Sequence, residues 1–378
     1  MSLLDVAVAH PDSPAAAPPA DPRVQPPPPV IPPPPLVDEL DLAADGRRRR
    51  GRRHHRRPRP RSRRRALAEV ALVLALIGGT LAVDPSPVAL LVLLFVAVVP
   101  FEKLFPRHRG QPVRRAQVGT DLAYLLLSPL LNVLTVVVAV IVGVASLAWL
   151  PGLALRPLVA QIPPRFAPVA GVVLFDLAIY WVHRWSHEVP FLWRFHAVHH
   201  STQYLDWVSG FRVHPLDGAL LAPPFVFLLA AGFSPELTGA LTVIQIVTGI
   251  FLHANVRWRW RPLHRLVITP EFHHWHHTND RRAKHSNYAV FLPLWDQLFG
   301  TYFMPAGRRP EVYGIDEPMP RGVLAQLRHP VRGVGNPLVL MGRVLRHPWR
   351  SVRRLASVVR ELLGQIWRST TRNTRAAC

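Results

Sequence analysis

The spacing of its histidines constrains this sequence most strongly. Five of its nineteen histidines fall in HRWSHEVPFLWRFHAVHH at 183–200, and PEFHHWHH follows at 270–277. Residues three or four positions apart on an α-helix project from one face, so each group can act as a set. The sets are an HxxxH box with His183 and His187, an HxxHH box with His196, His199 and His200, and an HxxHH box with His273, His276 and His277.

Long apolar segments set the fold class. They lie near residues 66–83, 88–105, 121–150, 167–185, 218–232 and 235–253. A helix needs about 20 apolar residues to cross a bilayer, and shorter segments suit half-spans. The sequence therefore predicts an all-α, integral-membrane helical bundle of the multi-pass type, with a histidine-rich cap after residue 254.

The positive charge lies at the two ends of the chain. Residues 47–65 carry thirteen arginines, and residues 321–378 carry twelve with a single acid, Glu361. Because this exceeds the net charge of +22, the remainder is slightly acidic. No nucleic-acid motif or aromatic-basic interleaving accompanies the arginines. We interpret them as juxtamembrane charge facing anionic headgroups, and the positive-inside rule places the N-terminus and the histidine boxes in the cytoplasm.

Composition divides the chain into four regions. Residues 1–65 form a Pro-rich, then Arg-rich tail of the kind that stays disordered. N-terminal membrane helices occupy 66–160, a region with the histidine boxes 161–305, and a basic tail with an amphipathic helix 306–378. The only cysteine, Cys378, excludes an intrachain disulfide and a cysteine-ligated metal site.

Eight boxed imidazoles exceed what one metal ion can use, because zinc sites take three or four protein ligands. Two ions are therefore predicted, each with about four or five imidazoles. Imidazole suits iron, zinc, copper and nickel, so ligand type leaves the metal open. The HExxH motif of zincins is absent, and the two Glu-x-x-His motifs of carboxylate-bridged bundles are not both present.

The boxes, followed by RVHP at 212–215, HAN at 253–255, SNY at 286–288 and WDQLFGT at 295–301, resemble the fatty acid hydroxylase and sterol desaturase superfamily. The resemblance covers roughly residues 167–303. It implies a di-iron centre on the cytoplasmic side of a helical bundle, with O2 as co-substrate. The one departure is Ala289, where the family usually has Gly. By this likeness the catalytic metal ligands are His183, His187, His196, His199, His200, His273, His276 and His277, with His214 and His253 as additional ligands or as groups that support the ligands.

The resemblance implies an oxidoreductase that hydroxylates or desaturates a fatty acyl, sterol or isoprenoid lipid in the membrane. No Rossmann, flavin or haem-attachment motif is present, so electrons must come from a separate reductase or ferredoxin. Two alternatives remain: a zinc-dependent membrane hydrolase, and a non-catalytic metal-binding scaffold.

Two further side chains lie near the boxes in the sequence. Asp176 is expected either to orient a ligand imidazole or to pair with an arginine, and His274 is expected to point away from the metals.

Overall fold

The computed structural model describes residues 63–257, 261–332, 346 and 348–371. The tail predicted to be disordered, residues 1–65, lies almost entirely outside the described residues. The described chain is mostly helical, and its β-pairing consists of isolated bridges that join Pro106 to Val256 and Thr278 to Tyr313. The predicted all-α class is confirmed.

The helices follow the predicted apolar segments closely. In chain order they are α1 (Arg63–Val83), α2 (Ser86–Leu104), α3 (Val118–Leu126), α4 (Ser128–Ala145), α5 (Trp149–Val159), α6 (Ala167–Glu188), α7 (Pro190–His200), α8 (Pro215–Gly218), α9 (Ala222–Ala231), α10 (Pro235–His253), α11 (Pro270–His276), α12 (Leu294–Leu298), α13 (Val323–Arg328) and α14 (Pro348–Thr371).

Four segments are long and apolar enough to cross a membrane: α2, α4, the segment Pro164–Glu188 that includes α6, and α10. The apolar segments Leu67–Val83 and Pro215–Ala231 are shorter. Large apolar side chains on α2 and α4 are exposed along their length, including Val96 and Val140, each with 64% of its surface exposed. Apolar surface of this extent needs lipid around it, so this is a membrane protein.

Prolines set two breaks that place the histidines. The segment 121–150, predicted as one stretch, is interrupted at Leu127, and α4 begins with Pro129 in its first turn. Pro190 likewise separates α6 from α7, since its ring nitrogen cannot donate the next helical hydrogen bond. The chain therefore turns directly after the first histidine box and presents the second box on a new helix.

The helices around the site pack closely. The side chains of Phe175 and Ile179 on α6 are buried against Leu228 of α9 and Leu241 of α10. At Gly152, where α5 meets α9, a Cβ atom would lie 2.5 Å from the carbonyl oxygen of Phe227. Only glycine allows this approach.

Arginines near α3 are buried rather than exposed to solvent. In the basic loop after α2, Arg115 pairs with Asp121 at 2.8 Å and also with Asp206. Arg212 pairs with Asp121 at 2.6 Å. Both arginines and Asp121 are fully buried. These ion pairs connect α3 to the segment 206–212. The carbonyl oxygen of Arg212 at the end of that segment contacts the ring of His199.

Replacing Asp121 tests this network. Asp121→Asn removes the charge that Arg115 and Arg212 share, and a buried charge without its partner costs about 3–5 kcal/mol. We expect the free energy of unfolding in detergent to fall by about that amount. The exposed control Asp84→Asn should change it by less than about 1 kcal/mol. Equal effects of the two substitutions would show that the buried pairs do not stabilise the fold.

Candidate metal centre

The boxed histidines meet in two groups at one end of the bundle. The first group is His183, His187, His196, His200 and His276, and the second is His199, His253, His273 and His277. In each group the ligand nitrogens lie within 4.8 Å of one another. The two groups adjoin, because the rings of His200 and His277 stack at 4.1 Å. All eight boxed histidines are brought together, and His253 joins them.

Each HxxHH box is divided between the two groups. In α7, His196 and His200 are four positions apart and belong to the five-histidine group, while His199 belongs to the other. In the third box the division is reversed: His273 and His277 enter the four-histidine group, and His276 crosses to the five-histidine group. The helical spacing explains this, since i and i+4 residues share a face and the i+3 residue lies to one side.

Oxygen acceptors fix the protons of several of these rings. The Nδ1 atom of His199 lies 3.2 Å from the carbonyl oxygen of Arg212, and that of His253 lies 2.6 Å from the oxygen of Gly249. The Nδ1 atoms of His183 and His276 make the same contact with the carbonyl oxygens of Tyr288 and Ser286. A carbonyl oxygen can only accept, so in each ring Nδ1 carries the hydrogen.

These rings therefore turn bare Nε2 lone pairs toward one another. The Nε2 atoms of His253 and His199 are 3.2 Å apart, and neither has a proton to donate. Their separation matches two ligands at right angles around one ion, which lie about 3 Å apart when each metal–nitrogen bond is about 2.1 Å. The donor set thus fits a metal cation in each group.

Burial keeps these imidazoles in the form that binds metal. Desolvation lowers the pKa of His199, His200, His273, His276 and His277 well below the usual 6.5. Neighbouring histidines lower each pKa further, because a second positive ring nearby is unfavourable. At neutral pH the rings are uncharged, as metal ligation requires.

The SNY segment supplies two of the acceptors. Ser286 and Tyr288 offer their carbonyl oxygens to His276 and His183, and Asn287 between them has a φ of 62°. Asn tolerates this left-handed conformation better than most residues. Its side-chain amide also donates to the carbonyl oxygens of Phe272 and Phe303, at 3.1 and 2.9 Å. The segment is thereby held against the third box.

Asp296 of the WDQLFGT motif holds the same loop from the other side. Its carboxylate accepts the backbone N–H groups of Tyr288 and Ala289, both at 2.8 Å, and the hydroxyl of Thr301. Burial raises the pKa of Asp296 to about 6, although these donors oppose the shift. Ala289 is not among the residues with a positive φ, so the local backbone accommodates alanine where the family usually has glycine.

His214 lies outside both groups. Its Nδ1 accepts the N–H of Leu216 at 3.1 Å and its Nε2 contacts the carbonyl oxygen of Leu327, so neither nitrogen is offered to a metal. As a direct ligand it is not supported by this geometry. It instead begins α8, which carries Asp217 to 3.0 Å from Nδ1 of His196. A carboxylate behind a ligand imidazole is a common support in metal sites.

Asp176 takes neither of its expected roles. It is fully buried and accepts the backbone N–H groups of Phe291 and Leu292 at 2.9 and 2.8 Å, and the indole N–H of Trp295 at 3.1 Å. It therefore fixes the loop at residues 286–293, here called the cap loop, to α6. It neither orients an imidazole nor pairs with an arginine. The nearby SNY and WDQLFGT motifs were the only sequence signal for this loop.

His274 points away from the metal groups, as expected, yet it has a definite place. Fully buried, it donates from Nε2 to the carbonyl oxygen of Ala254 at 3.1 Å, directly after the ligand His253. Its Nδ1 then accepts the hydroxyl hydrogen of Tyr313 at 3.1 Å. Tyr313 in turn accepts from His108 at 2.8 Å. This network joins the end of α10 to α11. His253 in α10, His273 in α11 and His277 directly after α11 are three members of the four-histidine group.

Removing the Tyr313 hydroxyl tests the network. In Tyr313→Phe the Nδ1 of His274 loses its donor, and loss of such supporting contacts typically weakens metal binding about 10- to 100-fold. We expect the larger loss at the four-histidine group and a smaller one at the other, measured by metal retention against graded chelator. Tyr124→Phe is the matched control, because the Tyr124 hydroxyl is buried with no hydrogen-bond partner among the described residues. Retention of both metals in the two variants alike would refute this role.

Comparison with known proteins agrees with the site. A family model described as fatty acid hydroxylase matches residues 168–301. The ornithine lipid hydroxylase OlsE of Rhizobium tropici is 32% identical over 242 residues, which cover 61% of this chain and 71% of that protein. No solved structure matches the chain significantly.

Other relatives match a smaller share of the chain. The alkylglycerol monooxygenase of Homo sapiens is 30% identical over 38% of this chain, and the match spans 32% of its own length. The very-long-chain aldehyde decarbonylase GL1-6 of Oryza sativa is also 30% identical, across 25% of its length. With two histidine groups at the end of a membrane bundle and a relative matched over most of its length, this chain belongs to the fatty acid hydroxylase family of oxidoreductases.

Proposed function

We propose that the protein is a di-iron, O2-dependent enzyme that hydroxylates or desaturates a C–H bond of a membrane lipid. The facing lone pairs of the two histidine groups carry this proposal, because uncharged imidazoles arranged in this way need a cation between them. Family membership favours iron over zinc, copper or nickel. Relatives named for ornithine lipid and alkylglycerol support a lipid substrate.

The two groups differ in access. All members of the four-histidine group are buried, whereas His183 and His187 in the other group are partly exposed. The partly exposed ring of Trp193 lies 5.3 Å from that of His187 and 5.7 Å from that of His200. A lipid chain would approach the five-histidine group along this side, while the buried group is kept from water.

The residues of this chain would hold and orient the centre. When bound, iron would supply the oxygen activation that an unactivated C–H bond requires. The carbonyl oxygens behind His183, His199, His253 and His276 keep each ring proton on Nδ1, so every Nε2 stays free to ligate. Asp217 does the same for His196 and adds negative charge behind the ring.

We further propose an orientation and partners. α6 and α10 both end at ligand histidines, so these ends share one side of the membrane, which the positive-inside rule assigns to the cytoplasm. A separate reductase or ferredoxin would deliver electrons there. The arginines of the two tails would meet anionic headgroups of the same leaflet.

Metal analysis tests the centre. For protein purified from iron-replete cells we expect two irons per chain, and loss of both in a variant combining His276→Ala with His277→Ala, because each substitution removes a ligand from a different group. His329→Ala, outside both groups, should retain both irons. Two zincs without iron would favour the hydrolase alternative, and a wild-type protein without metal would refute the proposal.

Lipid analysis tests the reaction. Cells that express the protein should accumulate a membrane lipid that has gained one oxygen atom or lost two hydrogens, only when O2 is supplied. Cells that express the double histidine variant should not. A lipid product formed equally well without O2 would indicate hydrolysis. Unchanged lipid profiles with a suitable donor present would favour the non-catalytic scaffold.

A further inference from the structure

The helix α14 has one apolar face and one basic face. Its apolar side chains Val352, Val359 and Leu363 recur at intervals of seven and four residues, which places them on one face. These three side chains are exposed, Leu363 to 60%. Trp349 and Trp367 are also exposed and stand 18 residues apart, or five helical turns, so they align at the two ends of the helix. No described residue covers this face.

The opposite face is basic. It carries five exposed arginines and one exposed acid, Glu361. The arginines are Arg350, Arg353, Arg354, Arg360 and Arg368. An apolar face bordered by tryptophan and backed by arginine is typical of helices that lie in the plane of a bilayer surface. This excess of positive charge suits an anionic leaflet better than a basic or neutral protein surface.

Contacts with α6 fix the depth of α14 relative to the bilayer. Arg184 donates to the carbonyl oxygen of Ser369 at 3.3 Å, and the indole N–H of Trp185 donates to the Thr370 hydroxyl at 3.1 Å. The hydroxyl of Ser369 donates to the carboxylate of Glu188 at 3.0 Å. All three α6 residues lie in the last turns of a candidate membrane span. α14 therefore ends at the point where that span leaves the bilayer, because Ser369 and Thr370 lie in its last turn.

We propose that α14 is an interfacial helix that binds the anionic leaflet at the histidine end of α6. Its apolar face enters the headgroup region, and its arginines contact lipid phosphates. The inference rests on the proposed contact between the basic tails and the bilayer, and adds to it one defined surface. Because the α6 residues that hold α14 alternate with His183 and His187, leaflet binding also fixes the depth of that box.

Site-directed spin labels test the placement in the full chain. In a background with Cys378→Ser, which removes the only native cysteine, one label is placed by Leu363→Cys on the apolar face. The matched control Ser357→Cys places a label on the basic face, where Ser357 is exposed. The protein is reconstituted in phosphatidylcholine vesicles with or without phosphatidylglycerol. Accessibility to oxygen, which concentrates in lipid, is compared with accessibility to a water-soluble nickel chelate.

With phosphatidylglycerol present, we expect the label at 363 to favour oxygen and the label at 357 to favour the chelate. Combining Arg353→Gln with Arg360→Gln should weaken binding to the anionic leaflet about 25-fold, at about 5-fold per arginine, and should lower the oxygen preference at 363. In pure phosphatidylcholine the substitutions should have no effect.

Three results would overturn the inference. The first is equal access of the chelate to both positions. The second is shielding of the label at 363 from both reagents, as in a protein interface. The third is an oxygen preference at 363 that changes neither with anionic lipid nor with the arginine substitutions. The readout requires neither metal nor turnover. It can therefore fail while the iron and lipid assays succeed, and the reverse also holds.

Discussion

The structure depends on how buried imidazoles of two groups are held with their bare nitrogen lone pairs facing one another. His199 and His253 each give their single ring proton to a backbone oxygen, and their Nε2 atoms then face each other at 3.2 Å. Two neutral acceptors at that distance are unfavourable in a buried site. The helix ends, the cap loop and the buried ion pairs all hold the rings in this arrangement. The resulting set of donor nitrogens suits a metal cation.

Buried acids maintain the arrangement without ligating. Asp176 and Asp296 accept backbone N–H groups of the cap loop, whose carbonyl oxygens in turn receive ring protons. Asp121 holds Arg212, whose carbonyl oxygen is the acceptor for His199. A carboxylate that accepts several N–H bonds tolerates burial far better than an isolated one. The acids thus act one step behind the histidines, through the main chain.

Much of the bundle could be predicted because its signals are local. Apolar length indicated α2, α6 and α10, and helical spacing indicated that the histidines of one box lie near one another. Helical spacing is compatible with the division of each HxxHH box, but which ring enters which group could not be predicted, since it depends on how α7 and α11 face each other. The position of His214 could not be predicted for a related reason: its partners are Leu216, two residues on, and Leu327, more than 100 residues away. The charge of Arg115 does not by itself reveal that its side chain is buried. The ion pair with Asp121, which forms only in the folded chain, offsets the cost of desolvating that charge.

The reciprocal division of the boxes has a consequence for how the two groups would take up metal ions. α7 and α11 each bear members of both groups, so an ion entering one group would immobilise the helices that carry histidines of its neighbour. The second ion then meets rings whose ordering entropy has already been lost. Loading should therefore be cooperative, with singly occupied protein scarce when metal is limiting.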